Sequence, residues 1–156
     1  MGTQRMDLLT YSTVLLLSAM GPIGGMLVGY YSREELIIEI RYIRIGEALV
    51  LGTIFGMVLF TRMHEPSMIA ALVSAALIAI AQYRITQDMI WWGVGGILFG
   101  ISSVTPEFTS IASLIFIYGI LYGSRQYQSW KKIGATCVLY LTAGMIIPIL
   151  AGSLTI

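Results

Sequence analysis

Residues 8–31, LLTYSTVLLLSAMGPIGGMLVGYY, run from Leu8 to Tyr31 without one Asp, Glu, Lys or Arg. A helix needs about 20 mostly apolar residues, each rising about 1.5 Å, to cross a hydrocarbon layer roughly 30 Å thick. This stretch meets that length, and the same ruler applied outward finds apolar runs at about 46–61, 67–83, 89–104, 108–123 and 133–155. The expected fold is all-α. The 156 residues read as one transmembrane domain, a polytopic integral membrane protein built as a compact bundle of about six transmembrane helices.

Composition points the same way. AVILMFWYC make up 57% of the chain and charged residues 11%, whereas a soluble domain carries about a quarter charged residues. Nine Lys+Arg and eight Asp+Glu leave a net charge of +1, which excludes a phosphate-neutralising face for nucleic acid. The expected partner is the lipid bilayer, joined by further copies of the chain or by other membrane subunits. With Cys137 as the single cysteine, an intramolecular disulfide is excluded.

Between the runs, Ser32-Arg33-Glu34-Glu35 has the form of a capping box, and Pro66 and Pro106 stand where a first helical turn tolerates a missing N–H. Residues 33–45 are less regular, since Ile38-Glu39-Ile40-Arg41 alternates at period two. They read as a helical lead-in to the second span, with a short interfacial segment as the alternative. Pro22 and Pro148 fall inside the first and last runs and predict kinks or breaks there.

Basic loops stay on the cytoplasmic side of a membrane. Six crossings would put Arg5 and Arg62 on one side and Arg33, Arg41, Arg44, Arg84, Arg125, Lys131 and Lys132 on the other. A multi-pass cell-membrane protein with both termini outside the cytoplasm is expected. Trp91, Trp92, Trp130, Tyr30, Tyr31, Tyr83 and Tyr127 fall near the proposed helix ends, where amphipathic rings favour the headgroup layer.

Small residues recur every four positions: Gly21/Gly25/Gly29, Gly52/Gly56, Ala71/Ala75/Ala79, Gly96/Gly100 and Gly119/Gly123. In lipid such steps let helix backbones approach closely, so they read first as packing devices, with oligomer contacts or a sliding surface as alternatives. Gly24-Gly25-Met26-Leu27-Val28-Gly29 echoes Gly95-Gly96-Ile97-Leu98-Phe99-Gly100. Gly56 precedes Arg62 as Gly119 precedes Arg125. This faint repeat suggests two inverted three-helix halves.

Ionisable groups beside a span need an account, because a charge in hydrocarbon is costly. Glu47 must enter the second span and has Arg44 as an i,i+3 neighbour. The pair reads either as a boundary ion pair or as a cation or proton site. Glu107 lies in the hydroxyl-rich stretch Ser102 to Ser110. Thr105 as N-cap, Pro106 at the first position and Glu107 in the first turn make an ordinary helix start, and a vestibule lined by Ser103, Thr105 and Glu107 is the alternative. Backbone carbonyls freed at Pro22 complete the ligand or ion candidates.

Enzyme chemistry finds little support. His64 is the single histidine and lacks the second histidine of a zinc-protease motif, while Asp7 and Asp88 fall at separate span ends. No phosphate loop, metal-ligand set or cofactor motif occurs, so no cofactor is expected. The function expected is that of a transporter- or channel-like protein moving a small solute or ion. The alternative is a non-transporting subunit or scaffold that packs against other membrane proteins. A polar cavity reaching the midplane would favour the first, and a dry interior the second.

Overall fold

The computed structural model describes residues 6–62, 68–85, 87–150 and 154–155. The described residues are all-helical apart from one pair of two-residue strands. Its elements are β1 (Met6–Asp7), α1 (Leu8–Ala19), α2 (Gly21–Tyr31), α3 (Arg33–Arg62), α4 (Met68–Arg84), α5 (Asp88–Ser102), α6 (Phe108–Arg125), α7 (Trp130–Leu150) and β2 (Leu154–Thr155). β1 and β2 pair in parallel, Met6 with Leu154 and Asp7 with Thr155, so the segment before α1 lies beside the one after α7.

Among the described residues, four stretches are long and apolar enough to cross a membrane: Leu8–Tyr31, Glu39–Thr61, Phe108–Arg125 and Trp130–Leu150. The remaining two apolar helices, Met68–Arg84 and Asp88–Ser102, have 17 and 15 residues. That falls short of the roughly 20 residues of an ordinary span.

The first apolar run is broken where proline demands it. α1 stops at Ala19, and Met20 donates its N–H to the Leu17 carbonyl at 3.1 Å. α2 starts afresh at Gly21, with Pro22 in its first turn, where a missing N–H is tolerated. Pro148, by contrast, sits within the last turn of a continuous α7. Residues 33–45 are a helical lead-in, because α3 runs through them without interruption into the second apolar run. Ser32 alone joins α2 to α3 and closes α2 by donating its N–H to the Val28 carbonyl at 2.9 Å. The reciprocal half of the expected capping box needs the Glu35 side chain, which, like Pro66 and His64, lies outside the described residues.

One helix start differs from expectation. α6 begins at Phe108, with Glu107 as its N-cap residue and no side-chain cap bond. Thr105 and Pro106 belong to the preceding turn, where the Thr105 hydroxyl donates to the Ser102 carbonyl at 2.8 Å. That bond back onto the end of α5 takes the hydroxyl away from the amides it would have capped.

Each small-residue step is used between helices of this chain. Gly21, Gly25 and Gly29 of α2 face Gly119, Gly123 and the backbone at Phe116, Ile120 and Ser124 of α6. Gly52 and Gly56 of α3 face Ala71, Ala75 and Ala79 of α4, and Gly96 and Gly100 of α5 face Tyr140, Ala143, Gly144 and Ile147 of α7. The principal packed pairs are thus α2 with α6, α3 with α4, and α5 with α7, and α6 also lies along α3. An inverted repeat would set α6 along α7 as α3 lies along α4. That pairing is not among the close ones, so the packing does not follow the faint internal echo.

Between these pairs the core is aromatic. Tyr11, Phe99 and Phe108 meet at centroid distances of 5.0–5.7 Å. Phe99 continues to Tyr140 at 5.8 Å, and Tyr140 to Trp92 at 5.7 Å. Trp92 then meets Tyr118 at 5.1 Å and Tyr122 at 5.4 Å. Because Phe108 opens α6 and Tyr122 lies one turn from its end, the ring ladder follows most of a helix about 27 Å long.

Buried hydroxyls tie the ladder to backbone and neighbours. Tyr11 donates to the Gly144 carbonyl, and Ser18 and Tyr140 share a hydrogen bond of 2.7 Å. Tyr11→Phe keeps the ring and removes one buried bond. It is expected to cost about 1–2 kcal/mol, read as a lowered thermal transition in detergent with unchanged helix content. An unchanged transition would show that the Gly144 carbonyl finds another donor.

Candidate functional site

Charge inside the described bundle concentrates at the end where α3, α5 and α6 meet. On α3, Glu47 lies in register with Leu51, Ile54 and Val58, spacings of three and four that place all four on the buried face. On α6, Ile111, Ile115, Tyr118, Tyr122 and Arg125 follow the same rule, which carries Arg125 inward at the last turn. Asp88 opens α5. A carboxylate in a first turn and a guanidinium in a last turn both complement the helix dipole.

Arg125 binds both acids. Its Nε and Nη2 donate to Glu47 Oε1 and Oε2 at 2.9 and 3.0 Å, the two-pronged geometry that guanidinium and carboxylate share. Nη2 also reaches Asp88 Oδ1 at 2.7 Å, and Gln126 Nε2 donates to Asp88 Oδ2 at 3.0 Å. The guanidinium carbon lies 5.6 Å from the Tyr122 ring centroid, so the cation caps the aromatic ladder. Side-chain exposure is 4% for Glu47, 12% for Arg125 and 22% for Asp88. Glu47 is therefore the sequestered member, and Asp88 borders the surface.

Arg44, expected as the partner of Glu47, is placed elsewhere. Its Nη2 donates to the Tyr83 carbonyl at 3.1 Å, and its guanidinium sits 5.5 Å from the Tyr83 ring. It thereby satisfies a carbonyl of the last turn of α4, which has no partner within that helix. Glu47 finds the better donor across the bundle, since Arg125 offers both prongs from a buried position.

The other candidates expected from the sequence are dispersed rather than gathered with Glu47. Pro22 is buried against Gly119 and Gly123. Ser103 is buried in the α5–α6 turn, at the opposite end of α6 from Arg125. Glu107 lies at that same far end, lining a groove with Thr53, Gly56, Met57 and Phe60 of α3.

Sequence reasoning did not identify Arg125, Asp88 and Gln126 as a set. The usable signal was the register of Arg125 with Tyr118 and Tyr122. Gln82 was missed as well. It is buried near the C-terminal end of α4, where its Nε2 donates to the Tyr118 hydroxyl at 2.9 Å. Among the described residues, no group of three His, Cys, Asp or Glu side chains is arranged to hold a metal ion. Cys137 is half-buried, with its sulfur 3.6 Å from the Ala19 carbonyl. Compared with known proteins, the chain matches no family model, no curated protein and no solved structure.

Proposed function

We propose that this chain is a multi-pass membrane subunit that supports other membrane proteins and does not itself move a solute. The observation that carries this reading is the ring ladder. Tyr11, Phe108, Phe99, Tyr140, Trp92, Tyr118 and Tyr122 occupy the space between helices that a solute path would need. At one end of the ladder Arg125 is engaged by two carboxylates, which leaves Glu47 no open face for an ion. In this reading the six apolar segments all cross the bilayer. The basic residues near Arg125 face the cytoplasm, as the bias of Lys and Arg favours. The outer face of α4, with Ile69, Leu72, Val73, Leu77 and Ile80 exposed, is available to lipid or to a partner subunit.

Transport is the second reading, on one observation. Gln82 Oε1 and Trp92 Nε1 are buried beside Tyr118 and have no hydrogen-bond partner among the described residues. Hydrogen-bonding capacity left open next to Glu47 and Arg125 suits a hydrated proton or cation path. Reconstitution in sealed liposomes separates the two. The subunit reading predicts proton, sodium and potassium fluxes equal to those of protein-free vesicles. A flux that Glu47→Gln abolishes, in protein with an unchanged thermal transition, would establish transport instead.

A further inference from the structure

At the end of the bundle away from Arg125, a groove of about 460 Å³ runs between α3 and α4. This volume lies within the usual range for small-molecule sites. Its floor is Gly56 against Ala71 and Ala75, and its walls include Met57, Phe60 and Leu72. Glu107 closes the outer end and, among the described residues, is the one charged residue lining it. Its Oε2 is shut away from solvent and has no hydrogen-bond partner among the described residues. The contrast with Glu47 is direct, because both oxygens of that buried carboxylate are met by Arg125. A sequestered carboxylate oxygen without a donor is costly, and a cationic donor would satisfy it best.

We propose that this groove binds a membrane amphiphile with one apolar chain and a primary-amine head, the chain lying over Gly56, Ala71 and Ala75 and the ammonium donating to Glu107. Position supports the match. Glu107 stands in the turn before α6, at the level where a headgroup would sit, and the apolar part of the groove extends from it toward the middle of α3 and α4. The glycine and alanine floor leaves room for a chain where larger side chains would fill the groove. The inference is independent of whether the protein transports.

The test uses the full chain in phosphatidylcholine vesicles with two photoreactive probes, a diazirine-bearing octadecylamine and the corresponding octadecanol, and maps adducts by mass spectrometry. The amine is expected to label α3 and α4 at the groove saturably, about tenfold or more above the alcohol, as one charge-assisted hydrogen bond would give. Glu107→Gln should bring the amine down to the alcohol's level, and Gly56→Leu should reduce labelling by both. The amine-to-alcohol ratio is read on the unaltered protein and so does not depend on either variant folding. Equal labelling by both probes, or an amine preference that survives Glu107→Gln, overturns the proposal. So does efficient disulfide cross-linking of two Ala71→Cys chains in a Cys137→Ser background, which would make this face an interface between copies.

Discussion

Arg125→Ala should destabilise the protein by about 3–5 kcal/mol, the loss seen when one partner of a buried ion pair is removed and the other charge is left behind. Two carboxylates depend on this guanidinium, and Glu47 is almost fully enclosed, with 4% of its side chain exposed. Arg125→Lys keeps the charge but has no fork to span both Glu47 oxygens, so it should recover only part of the loss. Glu47→Gln in the Arg125→Ala background removes one stranded charge and should restore stability relative to Arg125→Ala alone. Arg44→Ala is the control. Its contacts are with the Tyr83 carbonyl and ring at the half-buried edge of the bundle, so a loss of about 1 kcal/mol is expected. Reversible unfolding in mixed micelles measures all four. Equal losses for Arg125→Ala and Arg44→Ala would mean that the three-residue cluster does not hold α3, α5 and α6 together.

The second large effect belongs to the contact of α2 with α6. A Cβ placed on Gly123 would run into the Pro22 carbonyl and the Met26 nitrogen, and one on Gly25 into the Ile120 backbone. These obstacles are backbone atoms, so no rotamer change relieves them and the helices must separate. Gly123→Val is expected to cost at least about 3 kcal/mol, the upper end for overpacking a close-packed site. Gly24 and Gly134 provide the comparison, since a Cβ on either meets nothing within 4 Å. Alanine there should be neutral or stabilising by up to about 1 kcal/mol, through helix propensity alone. Thermal transitions of the three variants decide the matter. Similar losses at Gly123 and Gly24 would show that glycine serves composition rather than close approach.

Much of this architecture is legible in the sequence, for local reasons. Hydropathy is a property of a single segment, so the apolar runs, the break before Pro22 and the helical path through 33–45 can all be read one stretch at a time. Small-residue spacing likewise marks which helix faces pack closely. It does not say which face meets which. Gly25 and Gly96 carry the same local signature, yet one packs on α6 and the other on α7. That choice depends on how side chains around each stripe fit across the bundle, as where Pro22 lies over Gly119.

The charged cluster is half legible for the same reason. Burial of Glu47 follows from its place in the second apolar run, but sequence proximity favours Arg44, whereas a buried carboxylate is best met by a two-pronged donor 78 positions away. The start of α6 reads two residues too early because Thr105-Pro106-Glu107 fits a capping pattern. That pattern omits the competing carbonyl of Ser102, which captures the Thr105 hydroxyl.

Solvent accessibility across α6 is the most direct measurement of a lipid-embedded bundle closed by aromatic rings. Single cysteines at Pro106, Gln128 and Tyr118 in a Cys137→Ser background, in sealed vesicles of one orientation, can be offered a membrane-impermeant maleimide from either side. Cysteines at Pro106 and Gln128 should react from opposite sides, and the cysteine at Tyr118 should stay unmodified from both. Reaction of the first two from one side, or ready modification at Tyr118, would contradict the account.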